Sequence, residues 1–179
     1  AVTGNFDYVE FLAEYAPHNL MEMENFVRAA ELHNIGSIIK VDFQNRFYVA
    51  QKAAAMGFQG ILFADHKTPE EVSETLFAMA PDCPDGGRCG FPNGRWIRYR
   101  DHLPQMEQVQ MTRNVVKLFM IEKAEAVDNI KAICSIPGVD MVQFGPSDYS
   151  MSRGWNASEH GAELKEVEGY VIRTALECG

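Results

Sequence analysis

Residues 141–150 read Met-Val-Gln-Phe-Gly-Pro-Ser-Asp-Tyr-Ser, and this stretch decides the fold. Its first four residues form a short run typical of a strand, which Gly145-Pro146 ends. An earlier apolar run, Val115–Ile121, predicts a second strand that stops at Glu122. Because a helical pattern lies between these runs, they predict a βαβ unit with parallel strands.

Each of these two strands leads to a carboxylate at its carboxyl end, Glu122 in one case and Asp148 in the other. The carboxyl ends of parallel strands are where α/β folds hold their chemistry. Two carboxylates with few other ligands suit a hard divalent cation that keeps waters or takes oxygens from a substrate. Spacing alone leaves a second interpretation equally open, in which Glu122 pairs with a nearby cation and Asp148 caps a turn.

The rest of the chain also alternates between strand and helix patterns. Further strands are predicted at 6–12, 36–41 and 60–64. Helices are predicted after Asn19, through residues 49–54 up to Gly57, from the capping box Thr68-Pro69-Glu70-Glu71, and through residues 127–133 and 164–175. Five βα units in a row predict a parallel sheet, either open and doubly wound or part of a closed barrel. Residues 82–112 show little periodicity and predict a long functional or interface loop.

Composition narrows the class of protein. At 179 residues the chain suits one domain, and its net charge of −9 argues against a nucleic-acid surface. Arg95, Arg98 and Arg100 form the one basic cluster, interpreted as a subunit contact or active-site rim. No apolar run is long enough to span a bilayer. The four cysteines lack a CxxC spacing, which favours reduced thiols in a cytoplasmic protein.

Several short motifs point to a known family. They are Phe6-Asp7-Tyr8, Glu14-Tyr15-Ala16-Pro17, Gly57-Phe58-Gln59-Gly60-Ile61, Gly87-Arg88-Cys89-Gly90, Ala126-Val127-Asp128-Asn129-Ile130 and Pro137-Gly138-Val139-Asp140. Together with Glu122 and Gly145-Pro146-Ser147-Asp148, they resemble the metal-dependent pyruvate aldolases of the HpcH/HpaI type. That group includes 4-hydroxy-2-oxoheptanedioate aldolase and 2-dehydro-3-deoxyglucarate aldolase.

The resemblance implies a (β/α)8 TIM barrel of the phosphoenolpyruvate/pyruvate type. Such barrels run to about 250 residues, so the five βα units here are expected to be its second to sixth strands. Residues 1–179 are therefore interpreted as the central part of a single β/α-barrel domain, with the first and last strands outside the sequence.

The resemblance also implies site residues. Glu122 and Asp148 would hold Mg²⁺, Mn²⁺ or Co²⁺, which polarises the 2-keto group of the substrate and stabilises an enolate. The residues implied to bind substrate are Gly145, Pro146, Ser147, Arg88 and Lys40.

Three positions depart from the family pattern. The resembling enzymes use a histidine, held by an aspartate, as their general base, and this chain has Tyr15 and Leu12 at those two positions. At the position of their arginine this chain has Lys40. Lysine keeps the charge but loses the bidentate fork, and tyrosine is a poor base near neutral pH. Lys40 and Tyr15 remain candidate catalytic residues. His66, in Asp65-His66-Lys67 after the third strand, is a further candidate, with catalytic and structural interpretations equally open.

The expected function is a carbon–carbon lyase that releases pyruvate from a 4-hydroxy-2-oxo acid by retro-aldol cleavage. An oxaloacetate-type decarboxylase is the first alternative, since it needs no base to deprotonate an alcohol. A non-catalytic metal and keto-acid binding descendant and an unrelated α/β binding domain are the others. A homo-oligomer is expected, with neither nucleic acid nor membrane as a partner.

Overall fold

The computed structural model describes residues 4–90, 94–97, 99 and 103–179. Five strands alternate with helices along the chain. The strands are β1 (Tyr8–Leu12), β2 (Gly36–Val41), β3 (Gly60–Phe63), β4 (Val116–Ile121) and β5 (Met141–Phe144). The helices are α1 (Leu20–Leu32), α2 (Arg46–Met56), α3 (Pro69–Met79), α4 (Gln105–Arg113), α5 (Ala124–Asp128), α6 (Ile130–Cys134), α7 (Pro146–Ser152) and α8 (Gly161–Cys178).

The strands form one sheet in the order β1-β2-β3-β4-β5, so strands that follow one another in the sequence are neighbours in the sheet. The β1–β2 pair and the β4–β5 pair are parallel. In the first pair Leu12 lies opposite Lys40, and in the second Ile121 lies opposite Phe144. A parallel α/β sheet of successive βα units is the arrangement of a partial (β/α)8 barrel.

The chain divides into two compact units, one of residues 1–62 with 77–116 and the other of residues 63–76 with 117–179. The first unit is built around an apolar face of α1. Asn19 caps this helix with a complete capping box, which turns Met23 and Val27 into the core. The Phe26 ring packs edge-on against Phe11, at a centroid distance of 5.3 Å. Apolar packing therefore fixes β1 and α1 together.

The second unit has its own core beneath β4. Leu118, Phe119 and Ile121 are buried, as are Ile130 and Ile133 of α6. Helix α8 packs on α6. These apolar contacts hold β4 in place up to its last residue, so the position of the residue that follows is well defined.

Two sequence predictions about helices were wrong. The predicted long loop at 82–112 contains most of α4, whose buried residues include Gln108 and Thr112. Because this helix buries polar side chains, its sequence lacks the apolar residues at helical spacing that would predict it. The predicted helix through 127–133 is two short helices that meet at Asn129. The single-domain assignment of residues 1–179 stays a prediction.

The basic cluster is described only in part, because Arg98 and Arg100 lie outside the described residues. Arg95 pairs with Glu31 and donates to the Met56 carbonyl at 2.7 Å. It thus joins α1 to the end of α2, and the role of the cluster as a subunit contact or active-site rim stays a prediction. Among the described residues, no helix is both long and apolar enough to cross a bilayer.

Candidate active site

Glu122 directly follows β4 in the unit of residues 63–76 and 117–179. Its side chain is buried, with 1% of the residue exposed. Gly145, which follows β5, packs closely against it, because a Cβ atom on Gly145 would lie 2.8 Å from Glu122 Cβ. Only glycine leaves room for the glutamate here. The two strand ends therefore place one buried carboxylate beside the Gly-Pro-Ser-Asp motif.

Asp65 lies next to Glu122 at the end of β3. Its backbone N–H donates to Glu122 Oε1 at 2.9 Å. This requires a left-handed conformation, with φ of 64°, which aspartate tolerates better than most residues. The Asp65 carboxylate also has an oxygen within 4.8 Å of one from Glu122. Two carboxylates thus lie side by side, and one of them is buried.

Lys123 supplies a positive charge to these carboxylates. Its Nζ lies 2.6 Å from Asp65 Oδ1. Lys123 and Asp148 both line a cleft of about 440 Å³. Ser152 Oγ, at the end of α7, accepts from the Ala124 N–H at 2.9 Å and ties the residue after Lys123 to the helix of Asp148. We call Asp65, Glu122 and Asp148 the carboxylate cluster.

The electrostatics of Lys123 link it to all three members of the carboxylate cluster. Burial lowers the pKa of Lys123, but the hydrogen bond to Asp65 and the charges of Asp65, Glu122 and Asp148 raise it above the ordinary value. The ammonium group is therefore the stable form of Lys123. The structure brings the predicted metal ligands Glu122 and Asp148 to one positively charged side chain.

A second group of candidates lies in the other unit, around Lys40. Lys40 Nζ is 2.6 Å from Glu14 Oε2, and the side chains are only 10% and 3% exposed. The Tyr15 ring centroid lies 5.9 Å from the same nitrogen. Glu10 is exposed by its accessible surface, but partial desolvation raises its pKa, the charge of Lys40 lowers it and the charge of Glu14 raises it. Lys40 therefore neutralises a carboxylate-rich site beside Tyr15.

His66 occupies the core of its unit rather than the cleft. It is 1% exposed, its Nε2 lies 2.7 Å from Thr75 Oγ1, and its ring packs edge-on against Phe119. This placement is typical of a structural histidine, and the catalytic role of His66 stays a prediction.

The predicted substrate-binding residues differ in their surroundings. The Arg88 guanidinium lies 5.4 Å from the Phe77 ring centroid. The Gly145 N–H donates to the Ile121 carbonyl at 3.1 Å and is engaged by the sheet. The N–H of Gly145 therefore has a backbone partner, and the role of Gly145 in substrate binding stays a prediction. Pro146 and Ser147, in the first turn of α7, are exposed.

Sequence reasoning missed Glu14 and Lys123 as site residues. Lys123 directly follows Glu122, so a cation at a predicted strand end was the available signal. Glu14 belongs to the motif Glu14-Tyr15-Ala16-Pro17, but its pairing with Lys40 depends on the register of β1 and β2. Neither contact can be deduced from periodicity alone.

Comparison with known proteins gives a consistent result. A family model described as HpcH/HpaI aldolase/citrate lyase matches residues 5–179. The 5-keto-4-deoxy-D-glucarate aldolase of Klebsiella pneumoniae is 24% identical over 180 residues, covering 98% of this chain and 67% of the relative. The 2-keto-3-deoxy-L-rhamnonate aldolase of the same organism is 24% identical over 184 residues, covering 100% of this chain and 66% of the relative. The chain thus spans about two thirds of the length of these relatives.

Solved structures agree on the fold. The HpcH/HpaI aldolase from Desulfitobacterium hafniense matches with a TM-score of 0.85 at 24% identity, covering 99% of this chain and 67% of that one. The crystal structure of the citrate synthase SbnG matches with a TM-score of 0.81 at 23% identity, covering 99% of this chain and 67% of that one. At these identities the likeness concerns the fold alone.

Proposed function

Because the chain belongs to the HpcH/HpaI aldolase/citrate lyase family, a family of carbon–carbon lyases, we propose that it cleaves a carbon–carbon bond of a 2-keto acid with the help of a divalent cation. The leading reaction is retro-aldol cleavage of a 4-hydroxy-2-oxo acid to pyruvate and an aldehyde. Two relatives are named as aldolases of deoxy keto acids, which supports this class of substrate.

The observation that carries the proposal is the buried Glu122 carboxylate beside Gly145, in the same unit as Asp148. Carboxylate oxygens are the ligands that hard divalent cations prefer, and the cluster already attracts the Lys123 ammonium. The residues therefore fit a cation, with Glu122 and Asp148 as its ligands. When bound, such a cation supplies Lewis-acid polarisation of a keto oxygen.

The other residues of this unit would orient the substrate. Pro146 starts α7 and fixes the direction of its first turn, where backbone N–H groups have no partner within the helix. Ser147 adds a hydroxyl to that turn, so we assign Ser147 and its N–H to the substrate carboxylate. Gly145 contributes by its small size, which lets Glu122 lie against the strand end.

Lys40 and Tyr15 would serve the reaction by charge and hydrogen bonding. Lys40 forms an ion pair with Glu14 in a buried site. A cation of this kind stabilises negative charge that develops on a substrate oxygen. Tyr15 can donate a hydrogen bond from its hydroxyl. Arg88 stays a proposed contact for a carboxylate.

The experiment compares the parent protein with the Glu122→Gln variant. Pyruvate release from 4-hydroxy-2-oxo acids would be measured with Mn²⁺, alongside calorimetric titration of Mn²⁺. Glu125→Gln is the matched control, because Glu125 is exposed and lines the same cleft. We expect Glu122→Gln to lose both metal binding and turnover, and the control to keep both. Parent-like Mn²⁺ affinity in Glu122→Gln would contradict the assigned metal ligand.

Decarboxylation of an oxaloacetate-type acid is the second candidate, and the residues around Lys40 favour it. Leu12 and Tyr15 stand where resembling enzymes carry an aspartate and the histidine that acts as general base. Leu12 is 43% exposed, so burial does not require an apolar side chain at this position. General base catalysis contributes about 10²–10⁴-fold, and only aldol cleavage must remove a hydroxyl proton.

Restoring the base separates the two candidates. In Leu12→Asp with Tyr15→His, we expect aldol cleavage to rise much more than decarboxylation, both measured at saturating Mn²⁺. Equal changes in the two rates would show that Tyr15 acts by binding or packing. Keto-acid binding without turnover in parent and variant would indicate a non-catalytic descendant.

A further inference from the structure

Lys123 occupies an unusual place for a lysine. It directly follows the proposed metal ligand Glu122 and pairs with Asp65 at 2.6 Å. Asp65 in turn holds Glu122 through its N–H at 2.9 Å. Lys123 also lines the cleft that Asp148 lines. The ammonium group is thus the cation that the carboxylate cluster holds within the described part of the chain.

Two cations cannot share this cluster without cost. A divalent ion held by Glu122 and Asp148 would face the ammonium, because both of these carboxylates already act on Lys123 by their charge and Asp148 lines the same cleft. Like charges repel strongly in a partly buried site. The ammonium also holds the Asp65 carboxylate, an oxygen donor that a hard cation would otherwise use. The repulsion and the loss of a donor both weaken metal binding.

The lysine side chain is able to give way. Its four-carbon stem is flexible and its ammonium is strongly hydrated, so it can move into water when a competing cation arrives. The Lys123 side chain is 18% exposed and lies at an open cleft, so such a path exists. Asp65, in contrast, is fixed by its backbone conformation and its hydrogen bond to Glu122.

We propose that Lys123 is a tethered competitor of the divalent cation, and that metal binding at Glu122 and Asp148 displaces its ammonium group from Asp65. The freed Asp65 carboxylate then becomes a third ligand of the cation. This inference rests on the proposed function, since it concerns the metal site assigned there. It makes Lys123 a positioning residue that sets metal affinity, and Asp65 a ligand.

The first test measures Mn²⁺ affinity by calorimetry at fixed ionic strength. Lys123→Met keeps the length of the side chain but removes its charge, and we expect it to bind Mn²⁺ at least about tenfold more tightly. Lys67→Met is the matched control, because Lys67 lines the same cleft and is exposed. We expect the control to change affinity less than about twofold, since screening weakens exposed charges.

A double-mutant cycle tests the role of Asp65. Asp65→Asn suits the left-handed backbone and should weaken Mn²⁺ binding. It should also remove most of the gain in the Lys123→Met background. An unchanged gain in the double variant would show that Asp65 is not a ligand and would overturn that part of the inference.

A second measurement needs no substitution. Reductive methylation followed by mass spectrometry reports how accessible each lysine is, and we expect saturating Mn²⁺ to speed labelling of Lys123 but not of Lys67.

The Mn²⁺ titrations separate failure of this inference from failure of the proposed function. If the parent binds Mn²⁺, Glu122→Gln does not, and Lys123→Met binds it with the parent affinity, only this inference fails. Absence of Mn²⁺ binding in parent and in Lys123→Met overturns the proposed function as well. Binding in Lys123→Met alone supports the competition.

Discussion

Gly145 offers the sharpest test of how the site is built. Its backbone angles, φ −109° and ψ 89°, are open to any residue, so substitution there introduces no backbone strain. An added methyl group would lie 2.8 Å from Glu122 Cβ, 2.8 Å from Met120 Cε and 3.1 Å from Glu122 Oε2. The Met120 methyl group can move away. Glu122 Cβ is fixed by β4, so the carboxylate must shift.

From this geometry we expect Gly145→Ala to destabilise the protein by about 1–3 kcal/mol, the usual cost of overpacking. For a chain of this length, that is a fall in Tm of roughly 2–12 °C. Because the shift moves a proposed metal ligand, we also expect Mn²⁺ affinity to fall about 10- to 100-fold, as for other residues that orient ligands. Urea unfolding and calorimetric titration measure the two effects.

Gly161→Ala is the matched control. Gly161 starts α8, and a methyl group there has no described heavy atom within 4 Å. We expect this variant to keep parent stability or gain slightly, because alanine favours a helix, and to bind Mn²⁺ as the parent does. If Gly145→Ala is as stable as this control and binds Mn²⁺ equally well, then Gly145 does not position Glu122.

Three further predictions concern other charged and thiol groups. Lys40→Met should destabilise the protein by about 3–5 kcal/mol, because it leaves the Glu14 carboxylate buried without its cation, and adding Glu14→Gln should recover most of the loss in urea unfolding. Partial desolvation raises the pKa of Glu10 above 4.5, so its charged form disfavours folding. Glu10→Gln should therefore be more stable than the parent at pH 7, and this advantage should vanish as the pH falls through the raised pKa to 4.5. A difference in stability between variant and parent that stays constant across that range would contradict the raised pKa. Burial, with a contribution from the neighbouring Cys178, raises the pKa of Cys134 to about 11. Iodoacetamide at pH 8 should then alkylate the exposed Cys83 well before Cys134, as followed by mass spectrometry, and equal rates would refute the shift.

The elements that sequence predicted well are those whose local signals agree with their packing. Helix α1 has both a capping box at Asn19 and an apolar stripe, and β4 has an apolar run that only Lys117 interrupts. The start of α1 and both ends of β4 therefore match the prediction within one residue. Helix α4 lacks such agreement. Its mean hydropathy is low and it buries Gln108 and Thr112, so only tertiary packing explains why it is helical.

The candidate site was predictable to the extent that it depends on strand ends. Glu122 and the Gly-Pro-Ser-Asp motif each follow a recognisable strand, and parallel order brings such ends to the same edge. The pairing of Asp65 with Lys123 joins residues 58 positions apart and depends on a left-handed backbone at Asp65. Periodicity carries no information about a single left-handed residue or about which carboxylate a lysine will reach.

Sequence left two interpretations of Glu122 equally open, a metal ligand or a partner of a nearby cation. If Glu122 binds a cation as proposed, the position of Lys123 makes the two interpretations two states of one site. Asp65, Glu122 and Asp148 would repel one another in a chain folded without metal, and Lys123 offsets that repulsion through its contact with Asp65. A charge that stabilises the metal-free fold must also oppose the metal, because both neutralise the same carboxylates. Under this proposal, the stability of the free protein and its affinity for a cation would be coupled through one side chain.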